Sequence, residues 1–171
     1  MSVSLWMDAK AGLIRGNQRF SNNFLGNMES FTPREQITDV VNRLFVYTDY
    51  QEWQKIQDDV FSESLFFDMS SLGGESKQMT SKAVCDTWQQ GFVGIDAINH
   101  LAGNYLVQIN GTEADVFAYA TATHYKEAAT AGKTREFVGS YDLHLIQTEN
   151  GWRIDRFRYT LKYASGNLDL K

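Results

Sequence analysis

The sequence predicts a single α+β domain in which helices come first, an antiparallel meander of long strands follows, and the helices pack on one face of the sheet. Three observations carry this. A capping box, Thr32-Pro33-Arg34-Glu35, opens a helix. The dipeptides Asn110-Gly111 and Asn150-Gly151 mark tight hairpins in the second half of the chain. Between these regions there is no strand–helix–strand alternation of the kind that builds a parallel α/β sheet.

Each element has its own signal. Upstream of the capping box, residues 1–30 mix glycine and asparagine with scattered apolar residues and hold no lasting period, which reads as an N-terminal extension outside the core. Met28 stands just ahead of the first structural signal, so the part before it reads as an added segment or an early start. Ile37, Val40, Val41, Leu44 and Phe45 recur at helical spacing, and that helix exits near Thr48 to Tyr50. Trp53, Ile56 and Val60 continue on a second short helix, and Leu65-Phe66-Phe67 is an apolar run of strand length. After a glycine loop at Gly73-Gly74, Thr80 or Ser81 caps a third helix carrying Val84, Cys85, Trp88 and Phe92, stopped by Gly91 and Gly94.

The two Asn-Gly turns are expected to need positive φ at both central positions, and a looser turn is expected at Ala131-Gly132. They leave four strands of about ten residues or more, which must twist and bend. Along the last strand Trp152 and Ile154 alternate one way while Phe157, Tyr159, Leu161 and Tyr163 alternate the other, so a β-bulge is expected near Asp155-Arg156. The domain is read as residues 31–165, with 166–171 as a C-terminal tail.

Composition narrows the function. A chain of 171 residues with 43% hydrophobic and 13% aromatic content fills one sizeable core rather than two. A net charge of −5 gives no broad positive field, which argues against nucleic acid as a partner. No window approaches the roughly 18 uncharged apolar residues of a membrane span. The lone cysteine and the lack of a signal-peptide pattern point to a cytoplasmic setting. Cys85 lies on the apolar stripe of its helix and reads as core rather than nucleophile. Arg153, Arg156, Arg158 and Lys162 are interrupted by Asp155 and read as a solvated strand face.

Four segments, taken in order, resemble the SnoaL-like group of the nuclear transport factor 2-like superfamily, which includes scytalone dehydratase and hexachlorocyclohexane dehydrochlorinase. They are Tyr47-Thr48-Asp49-Tyr50-Gln51-Glu52-Trp53, Asn99-His100-Leu101-Ala102-Gly103-Asn104, Asn110-Gly111-Thr112-Glu113-Ala114 and Gly151-Trp152-Arg153-Ile154, within a match over about residues 33–163. The resemblance implies a cystatin-like α+β barrel, a cone-shaped curved sheet wrapped around the N-terminal helices to leave one pocket. It also implies a pair: in the two enzymes an aspartate at the end of the first helix orients a histidine that takes a proton from substrate, and Asp49 and His100 match those positions. Ser140 and Asp142 fall on a pocket serine and a pocket asparagine of scytalone dehydratase. Two water-holding tyrosines of that enzyme fall on Thr48 and Met69, which cannot do that work, so scytalone is not the expected substrate. His124 lies near its second histidine, two residues displaced but on the same strand face.

A histidine is a usable base near neutral pH, and a buried carboxylate fixes its tautomer and stabilises the imidazolium that forms. The expected function is therefore a cofactor-independent lyase, of dehydratase or dehydrochlorinase type, or an isomerase acting on a small ring compound. Asp49 and His100 are its expected catalytic pair. The expected substrate-binding groups are Trp53, Tyr105, Tyr119, His124, Ser140 and Asp142, with Trp88, Phe137 and Tyr141 as further aromatics that line the pocket or fill the core. Asp49 as a helix cap and His100 as a core histidine are the structural alternatives. At the level of the whole protein, a ligand carrier and a structural subunit, such as the β subunit of a ring-hydroxylating dioxygenase, share this fold. A metal site from His100, His124, His144 and Asp49 lacks ligand spacing, and no organic cofactor is implied. The broad outer face of the sheet is expected to form a homodimer or homotrimer.

Overall fold

A computed structural model describes residues 31–171; the N-terminal extension lies outside the described residues. Helix α1 (Pro33–Asp49) starts at the capping box, where the Thr32 hydroxyl accepts from the Glu35 N–H and the Glu35 carboxylate accepts from the Thr32 N–H. Its buried stripe is Ile37, Val40, Val41, Leu44, Phe45 and Thr48. Helix α2 (Trp53–Lys55) runs on into one π-helical turn over Ile56–Val60, burying Ile56 and Val60. Strand β1 (Phe61–Asp68) follows, then a 3₁₀ turn at Ser70–Leu72 and strand β2 (Ser76–Thr80). Sequence reading passes over β2, because this edge strand is polar and mostly exposed and has no apolar alternation to betray it. Thr80 caps helix α3 (Ser81–Gly91).

Strands β3 (Ala97–Asn110), β4 (Glu113–Tyr125), β5 (Thr134–Thr148) and β6 (Gly151–Gly166) form the meander. The sheet has six strands in the order β2-β1-β6-β5-β4-β3. It is mixed rather than wholly antiparallel, since β1 pairs in parallel with β6. β1 reaches the sheet from the helices, not through a hairpin, so no tight turn fixes its direction.

The hairpins fall where expected but their geometry differs. Asn110 pairs with Glu113 and Thr148 with Gly151, so the loop residues are Gly111-Thr112 and Glu149-Asn150. Only the glycines take positive φ, 62° at Gly111 and 95° at Gly151. Neither asparagine is asked to adopt the left-handed region that glycine occupies freely.

Two bulges in β6 decide which side chains reach the core. Opposite β5, Ile154 pairs with Leu145 and Arg156 with His144, which leaves Asp155 as the extra residue. The bulge therefore restores the inner face after Asp155, and Trp152, Ile154, Phe157 and Tyr159 are all buried together. The bulge expected near Asp155-Arg156 thus puts Phe157 and Tyr159 on the same inner face as Trp152 and Ile154. A second shift leaves Lys162 unpaired, so Leu161 packs against the core while Tyr163 is turned outward and exposed.

The last residues pack back instead of trailing away. The Lys171 carbonyl accepts from the Thr130 and Ala131 N–H groups, and Leu170 is buried. Among the described residues no helix is long and apolar enough to cross a membrane.

Candidate active site

The end of α1 delivers a carboxylate to the first strand of the meander. Asp49 Oδ2 accepts from the His100 backbone N–H at 2.9 Å, and Asp49 Oδ1 meets His100 Nδ1 at 2.6 Å. Both side chains are nearly enclosed, 9% exposed for His100 and 13% for Asp49. An ionised carboxylate can only accept, so the proton belongs on Nδ1 and the Nε2 lone pair is left free. The Phe45 ring packs 5.4 Å from the imidazole and fixes its plane.

His100 opens onto a cavity of about 400 Å³ between the inner face of the sheet, α1, α3 and the turn between β1 and β2. Leu44, Phe45 and Thr48 line it from α1, Trp88 and Phe92 from α3 and its exit, Met69 and Leu72 from the turn, and Phe137, Tyr141, Phe157 and Tyr159 from the sheet. Thr48 donates its hydroxyl back to the Leu44 carbonyl at 2.7 Å and so offers little polarity to the cavity.

Two tyrosines belong to this wall. Burial, then the neighbouring Tyr159 and Asp49, push the Tyr141 phenol far above its ordinary pKa. Burial alone pushes Tyr159 up to about 12, and its buried hydroxyl has no protein hydrogen-bond partner. The Tyr159 ring lies where a side chain on Gly139 would have to be: a β-carbon there would stand 2.5 Å from Cε2, Cζ and Oη. Glycine at 139 is what lets this ring lie flat against the sheet.

His124 joins the cavity from β4. Arg135 Nε donates to its Nδ1 at 3.0 Å. Burial, then the Arg135 charge, then His100 lower its pKa to about 3, so the ring is neutral.

The structure thus brings Asp49, His100 and His124 together and leaves the other expected binding groups elsewhere. Trp53 stacks on Phe92 with ring centroids 5.9 Å apart and does not line the cavity. Tyr105 donates to Asn42 Oδ1 at 2.7 Å along the side of α1. Tyr119, Ser140 and Asp142 point to the other face: Tyr119 pairs with Ser140 and Phe117 with Asp142, while Gly139, Tyr141 and Leu143 take the inward positions. There Tyr119 carries the Lys162 ammonium 4.2 Å above its ring. Trp88, Phe137 and Tyr141 do line the cavity.

Sequence reasoning missed Arg135 and Tyr159. The signal for Tyr159 was the expected bulge, read without its effect on the strand face. The signal for Arg135 was hairpin register, since it pairs directly with His124.

His144 bonds Asp155 at 2.6 Å on the outer face, so the three histidines do not converge. Among the described residues, no group of three or more His, Cys, Asp or Glu is placed to hold a metal ion. Cys85 is buried, and burial pushes its thiol up to about 12, with Asp86 adding to the effect.

Known proteins show the same architecture. A family model described as a SnoaL-like domain matches residues 29–158. The chain is similar to the Kfla4162 protein of Kribbella flavida, with 25% identity and a TM-score of 0.74, covering 81% of this chain and 95% of that one. It is also similar to a proposed scytalone dehydratase from Novosphingobium aromaticivorans, at 14% identity and a TM-score of 0.68, covering 78% and 87% of the two chains. A hexachlorocyclohexane dehydrochlorinase from Novosphingobium barchaimii aligns at 7% identity with a TM-score of 0.65, covering 77% and 88%. The last two likenesses carry the fold alone. No curated protein matches.

Proposed function

We propose, from the premise that this chain belongs to the SnoaL-like domain family, that it is a cofactor-independent lyase or isomerase that removes a proton from a small ring compound. His100 is the base and Asp49 its orienting partner. The observation that carries this reading is the double contact of Asp49 with the ring and the backbone of His100 at the wall of the cavity. A helix cap needs neither contact. A ligand carrier has no need to keep Asp49 within hydrogen-bond reach of His100, whereas a base does. A cavity of about 400 Å³ with a largely aromatic and aliphatic lining suits a compact ring with few polar groups. When the proton leaves carbon, the C–H electron pair forms a new double bond. Either a leaving group departs with its electron pair from the next carbon, or the π pair of an adjacent double bond moves to its far carbon, which takes the proton back from the imidazolium.

The test is a ligand screen by thermal shift over cyclic ketones and chlorinated ring compounds, followed by proton NMR of each ligand found, in deuterated buffer. The wild type is expected to exchange or eliminate at a single carbon-bound proton. His100→Gln should bind the same ligand and lose that exchange. Exchange that persists in His100→Gln overturns the assignment of the base; binding without exchange in the wild type makes the protein a carrier.

A further inference from the structure

The two histidines of the cavity are held by partners of opposite charge. A guanidinium has five donors, no acceptor and a permanent charge, so the 3.0 Å contact from Arg135 Nε requires His124 Nδ1 to offer its lone pair. A neutral ring with Nδ1 bare carries its proton on Nε2. At His100 the carboxylate requires the reverse, with the proton on Nδ1 and the lone pair on Nε2.

Arg135 is itself braced. It donates to the Leu168 carbonyl at 2.9 Å, and its guanidinium lies 5.4 Å from the centre of the Phe137 ring. Register fixes the rest. Arg135 stands directly opposite His124 on β5. Across β3 and β4, His100 faces Ala122 and Ile98 faces His124, so the two histidines are diagonal neighbours on the inner face. Such neighbours have β-carbons about 7 Å apart, within the span of one small substrate.

We propose that Arg135 is a positioning residue that locks His124 in its neutral Nε2–H tautomer, so that the cavity sets a hydrogen-bond donor beside the base and selects substrates bearing a carbonyl oxygen next to the carbon that loses its proton. This rests on His100 being the base. As His100 Nε2 takes the proton, the C–H pair forms a carbon–carbon double bond and the carbonyl π pair moves onto oxygen. That oxyanion accepts from His124 Nε2–H. The pair then returns from oxygen, either expelling a leaving group from the β-carbon or, in a substrate with a carbon–carbon double bond conjugated to the enolate, pushing that π pair to the γ-carbon, which takes the proton back from the imidazolium. His124 neither gains nor loses a proton. A neutral imidazole suits this task because it donates without first having to be charged. The low pKa of His124 keeps it neutral over the working range. A chlorinated ring without oxygen gains nothing from this pole.

The tautomers are read directly from long-range proton–nitrogen correlation spectra of the full, ¹⁵N-labelled chain between about pH 5 and 8. His124 is expected as neutral Nε2–H throughout and His100 as Nδ1–H. In Arg135→Met, His124 should become a mixture of its two neutral tautomers, because burial still disfavours the charged ring while nothing selects which nitrogen carries the proton, a change that a merely structural arginine does not produce. Binding supplies the second arm, with 4-nitrophenolate as a mimic of the enolate oxygen and 4-nitrotoluene as its isostere. His124→Phe should weaken the phenolate about tenfold or more and leave the toluene within about twofold.

Equal weakening of both probes, a wild type that does not prefer the phenolate, or a His124 that carries its proton on Nδ1 overturns the inference. These outcomes leave Asp49 and His100 untouched. A His100 with its proton on Nε2 overturns the base assignment and not the lock.

Discussion

Acidification tests the buried state of His124 through stability, without any ligand. The folded-state pKa is about 3, against about 6.5 for a histidine in an unfolded chain. The folded value is the lower one, so between these limits the unfolded chain binds a proton that the folded chain refuses. The contribution is whole above about pH 6.5 and is lost as pH falls towards 3. One proton is worth about 1.4 kcal/mol per pH unit, so a descent from about pH 7.5 to about 4.5 removes about 2–3 kcal/mol. That is a large part of the 5–15 kcal/mol that holds an ordinary domain together. The comparison protein is His124→Gln, whose side-chain carbonyl keeps an acceptor for Arg135 and has nothing to titrate. Urea unfolding of both proteins at the two pH values gives the difference, and titrations common to both cancel. The wild type should lose about 2–3 kcal/mol more than the variant. Curves that run parallel within about 0.5 kcal/mol would refute the argument, and with it the claim that burial and Arg135 hold the ring neutral.

Gly139→Ala should cost about 1–3 kcal/mol and push the Tyr159 ring into the cavity, because the new β-carbon would stand 2.5 Å from the ring. An unchanged urea midpoint together with unchanged near-ultraviolet dichroism would show that the ring has room elsewhere. The outer face of the sheet exposes Leu101, Leu106, Tyr119 and Tyr163, with Leu101 at 76%. Association through this face into a dimer or trimer is expected, and Leu101→Asp should weaken it. Light scattering that gives the mass of one chain for the wild type at micromolar concentration counts against it.

The parts of this fold that were legible in the sequence are those where a local rule and the tertiary structure agree. Thr32-Pro33-Arg34-Glu35 forms the same two cap bonds whatever α1 packs against, and it was read correctly. Asp49 and His100 were legible through resemblance, as an aspartate ending a helix and a histidine opening a strand. What failed in the meander was register at one turn and side-chain parity along β5 and β6. A turn centred on Ala131-Gly132 would set Gly139 opposite His124; the observed partner is Arg135, because the Lys126 N–H closes the loop on the Lys133 carbonyl. Ser140 and Asp142 sit on a strand whose odd-numbered residues face inward, so the family positions they match by alignment are on the far side of the sheet here. The bulge at Asp155 was foreseen, but its effect on Phe157 and Tyr159 was not, since one extra residue flips every later side chain.

The same parity explains why residue type alone says little about what a histidine does in this cavity. His100 and His124 stand on adjacent strands, face the same space and differ only in what meets their Nδ1 atoms: a helix-borne carboxylate in one case, a strand-borne guanidinium in the other. The carboxylate comes from α1, whose last turn is fixed by the buried Phe45 and Thr48. The guanidinium comes from β5, whose register is fixed by the loop that β4 enters. Two independent parts of the chain therefore set the two tautomers. Shortening the loop by one residue would turn Arg135 to the outer face and free His124, while the two Asp49 hydrogen bonds would keep both partners, since Asp49 is on α1 and His100 on β3. An acceptor and a donor made from the same side chain are a property of the register, and become visible only when the strands are paired.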